Sequence, residues 1–246
     1  MRTALVRRTV LTASAVSLAL LATACGGSDK ADAKKDDVKP SAAPSPSAPS
    51  APAVKALTEA ELEKAVLADG DVPKHKIRNP EAGDVSAAAD VTSDKPECQP
   101  LALVGGLAPI GTVSAGVARL GASEPTIAGD PTSSGIMALR LASYEGKGAA
   151  DAFASLKKAG ADCAGGFVVT EKGEKTTIKS VTPATATGGD EVAAWTLVIE
   201  EDGETMQSPI VAVRRGATLV TVQSVSFTGK TAVPQDIVDA QLKKLG

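Results

Sequence analysis

Apolar and polar positions along the chain change their spacing several times, and each change marks an element. From Thr9 to Ala24 no charged residue occurs, and Leu, Val and Ala dominate. Past about residue 56 the spacing becomes helical. Thr58-Glu59-Ala60-Glu61 reads as a capping box, with Thr58 as cap and Glu61 reaching back. The helix it opens runs through Leu62, Ala65 and Val66 toward Gly70. A second helix is expected from Cys98 through Leu101, Leu103 and Val104, stopped by Gly105-Gly106. Val113, Ala115 and Val117, then Met137, Leu139 and Leu141, alternate with period two and predict strands. The segment from Pro125 to Ser134 joins them as a loop. A third helix spans about Lys147 to Ala159, with Ala149, Ala152, Phe153 and Leu156 on one face, and it delivers Cys163 to its end.

The last third predicts an antiparallel meander. Its strands are Phe167–Glu171, Lys175–Val181, Glu191–Glu200, Met206–Arg214 and Thr218–Val225, with Asp202-Gly203 and Arg215-Gly216 at turns. Pro234 starts a final helix that lines up Ile237, Val238, Gln241, Leu242 and Leu245. Strands clustered between helices predict an α+β fold: one antiparallel sheet with helices packed on one face. Residues 56–246 form this domain.

The N-terminal pattern has a different meaning. Arg2, Arg7 and Arg8 precede the apolar run, which has about 16 residues and falls short of a comfortable bilayer span. Charged and then apolar is the layout of a secretory signal, here residues 1–24. The run ends at Leu21-Ala22-Thr23-Ala24-Cys25, which resembles the lipobox of bacterial lipoproteins, with Ala22 where Leu is commonest. The resemblance implies that Cys25 takes a diacylglyceryl group as a thioether and is acylated (palmitate or a similar chain). Two or more chains suffice for stable anchoring. The implied location is the outer face of the cytoplasmic membrane.

Residues 25–55 are first of mixed charge, Asp29 to Asp37, and then rich in Pro, Ser and Ala from Pro40 to Pro52. Nothing there can build a core, so this segment reads as a disordered tether. At full polyproline extension it reaches roughly 80 Å.

Composition narrows the function. Aromatics make up 2% of the chain, so aliphatic side chains must form the core. Formal net charge is −3; the three signal arginines contribute +3 of that balance, which leaves −6 for the remainder. A mildly acidic domain without basic clusters argues against nucleic acid as a partner. With Cys25 assigned to lipid, Cys98 and Cys163 read as a disulfide in an exported domain, with two free thiols or a metal pair as alternatives. A metal is disfavoured because His75 is the only histidine and no CxxC spacing exists.

No catalytic motif stands out. His75 lies between Lys74 and Lys76 in a charged segment, and no serine sits in a G-x-S-x-G elbow. The expectation is a non-enzymatic protein without a cofactor. Its partner would be a small molecule or, alternatively, an envelope protein. Trp195 either anchors the core with Leu197 and Ile199 or lines a cleft. Arg140 and Arg214 are candidate contacts for an anionic ligand, although strand arginines are usually solvated.

The element order, with "GDEVAAWTLVI" over residues 189–199 and "VAVRRGATLVTV" over 211–222, resembles the extracellular sensor domain of mycobacterial PknH-type kinases and related actinobacterial lipoproteins. The resemblance covers about Ala56 to Gly246 and implies a fold whose sheet forms a ligand cleft. The kinase member of that family has two disulfides, whereas only Cys98 and Cys163 are available here, and no kinase domain is present.

Overall fold

The structure is a computed structural model, and residues 55–130, 133–201, 203–226 and 231–246 are described. The signal, Cys25 and all of the tether but Lys55 lie outside them. Among the described residues no helix is long and apolar enough to cross a membrane.

Helix α1 (Glu59–Ala65) starts at the expected capping box. Thr58 Oγ1 accepts from Glu61 N at 3.3 Å, and Glu61 Oε2 accepts from Thr58 N at 2.7 Å. It ends earlier than Gly70, because α4 (Gln235–Leu245) supplies what its C-terminus lacks. The buried Gln241 accepts from Leu67 N at 3.0 Å and donates to Ala65 O at 2.8 Å, and Lys244 Nζ donates to Val66 O. Gln241 is a polar residue in an apolar helix stripe because it caps a neighbour.

Nine antiparallel strands form one sheet: β1 (His75–Arg78), β2 (Val91–Ser93), β3 (Ala115–Ser123), β4 (Gly135–Ser143), β5 (Phe167–Glu171), β6 (Glu174–Ala184), β7 (Glu191–Glu201), β8 (Glu204–Arg215) and β9 (Thr218–Ser226). Their spatial order is β1-β3-β4-β9-β8-β7-β6-β5-β2. The five meander strands fall where expected, whereas β1 and β2 are short edge strands that periodicity did not reveal. Residues 75–78, which read as a charged segment, pair with β3, Ile77 opposite Gly121.

The helices do not share one face of the sheet. One buried cluster joins α2 (Gln99–Gly105) and α3 (Gly148–Asp162) to Trp195, Leu197, Ile210, Ala212 and Leu219. The other joins α1 and α4 to Ala194, Val211, Val213, Val220 and Val222. Neighbouring residues of β8 therefore enter opposite cores. The unbroken apolar run Ile210-Val211-Ala212-Val213 is the sequence signature of a strand buried on both sides. The clustering of strands between helices predicts helices on one face only, and the structure corrects that expectation.

The structure bonds Cys98 to Cys163, with Cα atoms 5.8 Å apart at a sequence separation of 65. The bond ties the start of α2 to the end of α3.

The connection from β1 to β2 constrains the shape of the sheet. These strands sit at opposite edges. Flat strands spaced about 4.8 Å apart would put them about 38 Å from each other. The intervening residues 79–90, about twelve of them, reach at most about 40 Å when fully extended. They are not extended: Asp84 N bonds Glu81 O, and Ala88–Asp90 is a turn of 3-10 helix. The sheet must therefore curl and bring its edges, joined by this strap, toward each other.

Candidate functional site

The residues expected to contact a ligand are placed as follows. Trp195 is 5% exposed and packs against α3. A Cβ on Gly160 would overlap its indole Nε1, so the helix approaches the ring only because residue 160 has no side chain. Trp195 is thus a core residue. Arg214 is half-buried and already paired, Nε to Glu191 at 2.5 Å and Nη1 to Asp190 at 3.2 Å. Neither is free to take a ligand.

Arg140 differs. Its Nη1 donates to Leu107 O at 2.8 Å, and its guanidinium lies over Gly116, where any side chain would collide with it. Its Nε is buried without a hydrogen-bond partner. Burial lowers the Arg140 pKa, and among the described residues no carboxylate forms an ion pair with it. The neighbouring Tyr144 is pushed up to about 12 by burial, with the Arg140 charge pulling the other way. Its hydroxyl donates to Ile110 O at 3.0 Å. Arg140 and Tyr144 thus pin the loop after α2. His75 opens β1, with Nδ1 3.0 Å from Pro73 O. No group of three or more His, Cys, Asp or Glu among the described residues is placed to hold a metal.

The more prominent feature is a band of sheet that the helices leave uncovered. Helices α2 and α3 lie over one end of the strands on their face. Toward the other end, β3 presents Leu120 and Ala122, β4 Ile136 and Ala138, β9 Val225 and Gln223, β8 Met206 and Ser208, and β7 Ile199. Register puts them on one face, along a diagonal of the sheet: Leu120 is opposite Ala138, Ala138 opposite Gln223, Ile136 opposite Val225 and Ile199 opposite Met206, and Gln223 reaches Ser208 across β9 and β8. Most are half-exposed, and Ile136 is 44% exposed. A cavity of about 460 Å³ opens at the β1 end, against Lys76, Arg78, Leu120 and Ile136. Another of about 180 Å³ lies at the α2 end, against Leu101, Phe167, Ile199 and Gln223.

The strap bridges the two ends. Near β1, Asp84 accepts from Arg78 Nη1 and from Glu81 N, both at 2.8 Å. These bonds, the Glu81 amide first and then Arg78, hold the Asp84 carboxyl below the usual carboxylate range. One residue earlier, Gly83 O accepts from Lys172 Nζ at 2.9 Å, at the β5–β6 turn. Ser86, buried, donates from N to Gly106 O at 2.9 Å and from Oγ to Glu171. Adjacent strap residues thus touch opposite flanks of the sheet.

A larger open groove of about 700 Å³ lies outside, between α2, α3 and residues 110–114. Some of its polar groups are spent internally. The Gln99 amide bonds Val91 O and Ser93 N, and Ser155 Oγ donates to Ala152 O. Glu145 and Asp151 stand at its rim.

No protein-family model and no curated protein matches the chain. Among solved structures it is similar to the extracellular domain of PknH from Mycobacterium tuberculosis, at 17% identity and a TM-score of 0.53. The match covers 78% of this chain and 98% of that one. What the two share at that level is the fold, and the fold expected from the sequence resemblance is the one observed.

Proposed function

We propose that this chain is a lipid-anchored extracytoplasmic protein whose folded domain binds a ligand and catalyses no reaction. Three things support the reading. The N-terminus has the charge and apolar pattern of an export signal ending at a lipobox cysteine. The fold is that of a domain described as extracellular. The observation that carries the binding claim is the uncovered apolar band bridged by residues 79–90. A soluble domain gains by burying such a surface, and a contiguous exposed apolar patch marks a place where something docks.

In this reading Cys25 holds the domain at the outer face of the cytoplasmic membrane, and residues 26–54 set its reach. The domain end of that tether meets the body where Leu57 N donates to Ser143 Oγ at 2.7 Å. That contact is at the strand end remote from the band, which leaves the band free of the attachment.

Native mass spectrometry of the full-length protein purified from its own envelope tests the proposal. A retained molecule, released when Ile136→Glu is introduced, is the expected result. A bare protein mass under conditions that keep known complexes intact would count against ligand binding.

A further inference from the structure

We infer that the apolar band takes the aliphatic chain of a fatty acid or lipid. This rests on the reading of the band as a binding site and goes on to name the chemistry it fits.

The floor decides the class. Across β3, β4, β9, β8 and β7 its exposed surface comes from Leu120, Ile136, Ala138, Val225, Met206 and Ile199. No ionisable side chain stands on it between Ala138 and Ile199. The polar pair at its centre is closed on itself, with Gln223 Nε2 donating to the buried Ser208 Oγ at 2.7 Å. Glu171 at the far end is occupied by Ser86. Over this central stretch a sugar, a nucleotide or an inorganic ion would leave its polar groups unpaired, at a cost that aliphatic carbon does not incur; the charged side chains Asp69, Lys76 and Arg78 line only the cavity at the β1 end.

Shape points the same way. Five adjacent strands make a strip about 20 Å long. It follows a curled sheet whose two flanks are tied together by Gly83 and Asp84. A flexible chain can follow the curve and displace water from the whole strip.

The test uses the purified full-length protein and a fluorescent fatty acid displaced by palmitate or octanoate. Palmitate should displace it saturably and bind tighter than octanoate, by roughly fourfold per methylene until the strip is filled. Ile136→Glu puts a charge on the floor and should weaken palmitate at least tenfold. Ile136→Ser should move in the same direction by less. Ile127→Glu removes an isoleucine that is 55% exposed on a loop outside the band and should change nothing. Uptake of a pyrene-labelled phosphatidylglycerol from vesicles identifies a membrane lipid as the source of the chain. Displacement by free palmitate without such uptake identifies a free fatty acid, and either result supports the inference. Absence of saturable palmitate binding, no dependence on chain length, or equal weakening by Ile127→Glu would overturn it. If palmitate fails while a retained polar molecule is still lost from Ile136→Glu, the chemistry is wrong and the binding reading stands. If no molecule is retained either, both fall.

Discussion

Single side chains carry several of the structural arguments, and two of them report on themselves. The chain has one tyrosine and one tryptophan. Because Tyr144 is pushed up to about 12 by burial, a spectrophotometric titration should show no tyrosinate at pH 10, where an ordinary phenol is half ionised. The sign for stability follows. The folded state keeps the proton between the ordinary value and about 12, so stability is full below the ordinary value and falls as pH rises through that window. Trp195 reports on the helix that covers it. Gly160→Ala places a methyl group on the indole; a loss of about 1–3 kcal/mol by denaturant unfolding, with a shifted tryptophan emission, is expected from overpacking. Arg140 is the sequence candidate for an anionic ligand, or else for a solvated strand arginine, whose Nε is buried. A strand position next to Gly116 gave no sign that the guanidinium would be buried, because the loop that covers it comes from residue 107.

At the scale of elements, legibility followed periodicity. Helices with caps and strands longer than a few residues were readable from pattern, as the five meander strands and the Thr58 box show. Strands β1 and β2 were not, since four and three residues are too few to display a period and their pairing partners lie far along the chain. The two-sided burial of β8 was written in its unbroken apolar run. The Gln241 cap was also visible, as a polar residue inside an apolar stripe, though nothing local said which helix it would serve. The strap was illegible because it follows from strand order, which only the assembled sheet defines.

The elements also yield predictions. Cys98→Ser with Cys163→Ser frees a loop of 65 residues' separation. It should cost about 4 kcal/mol on the chain-entropy model, read as a lower denaturation midpoint. The strap clasp is acid-sensitive. Asp84 is held below its ordinary value by the Glu81 amide and by Arg78, with Lys172 adding to the effect. Its contacts therefore persist above the ordinary Asp range and are lost only as pH falls below about 4. Amide exchange over residues 79–90, relative to the sheet, should accelerate there. Asp84→Asn should produce the same relative acceleration at neutral pH.

For the whole molecule, anchoring and binding are separable. Cys25→Ala should release or mislocalise the protein, measured by fractionation of the envelope, while near-UV circular dichroism of the domain stays unchanged. A mutant that remained membrane-bound and acylated would contradict the lipobox reading. The domain has the same fold as an extracellular domain of another protein at 17% identity. Fold alone specifies no ligand, so the ligand has to be argued from the band itself. There the physical case is the combination of half-exposed aliphatic side chains, the self-satisfied Gln223–Ser208 pair and a strap tied to both flanks.

A crystal structure of the protein purified from its own cell envelope, without added ligand, tests that case most directly. The account predicts elongated density along the apolar band from Leu120 to Ile199, in van der Waals contact with Ile136 and Met206. A band with no density on it, or a retained molecule lodged only in the groove between α2 and α3, would contradict it.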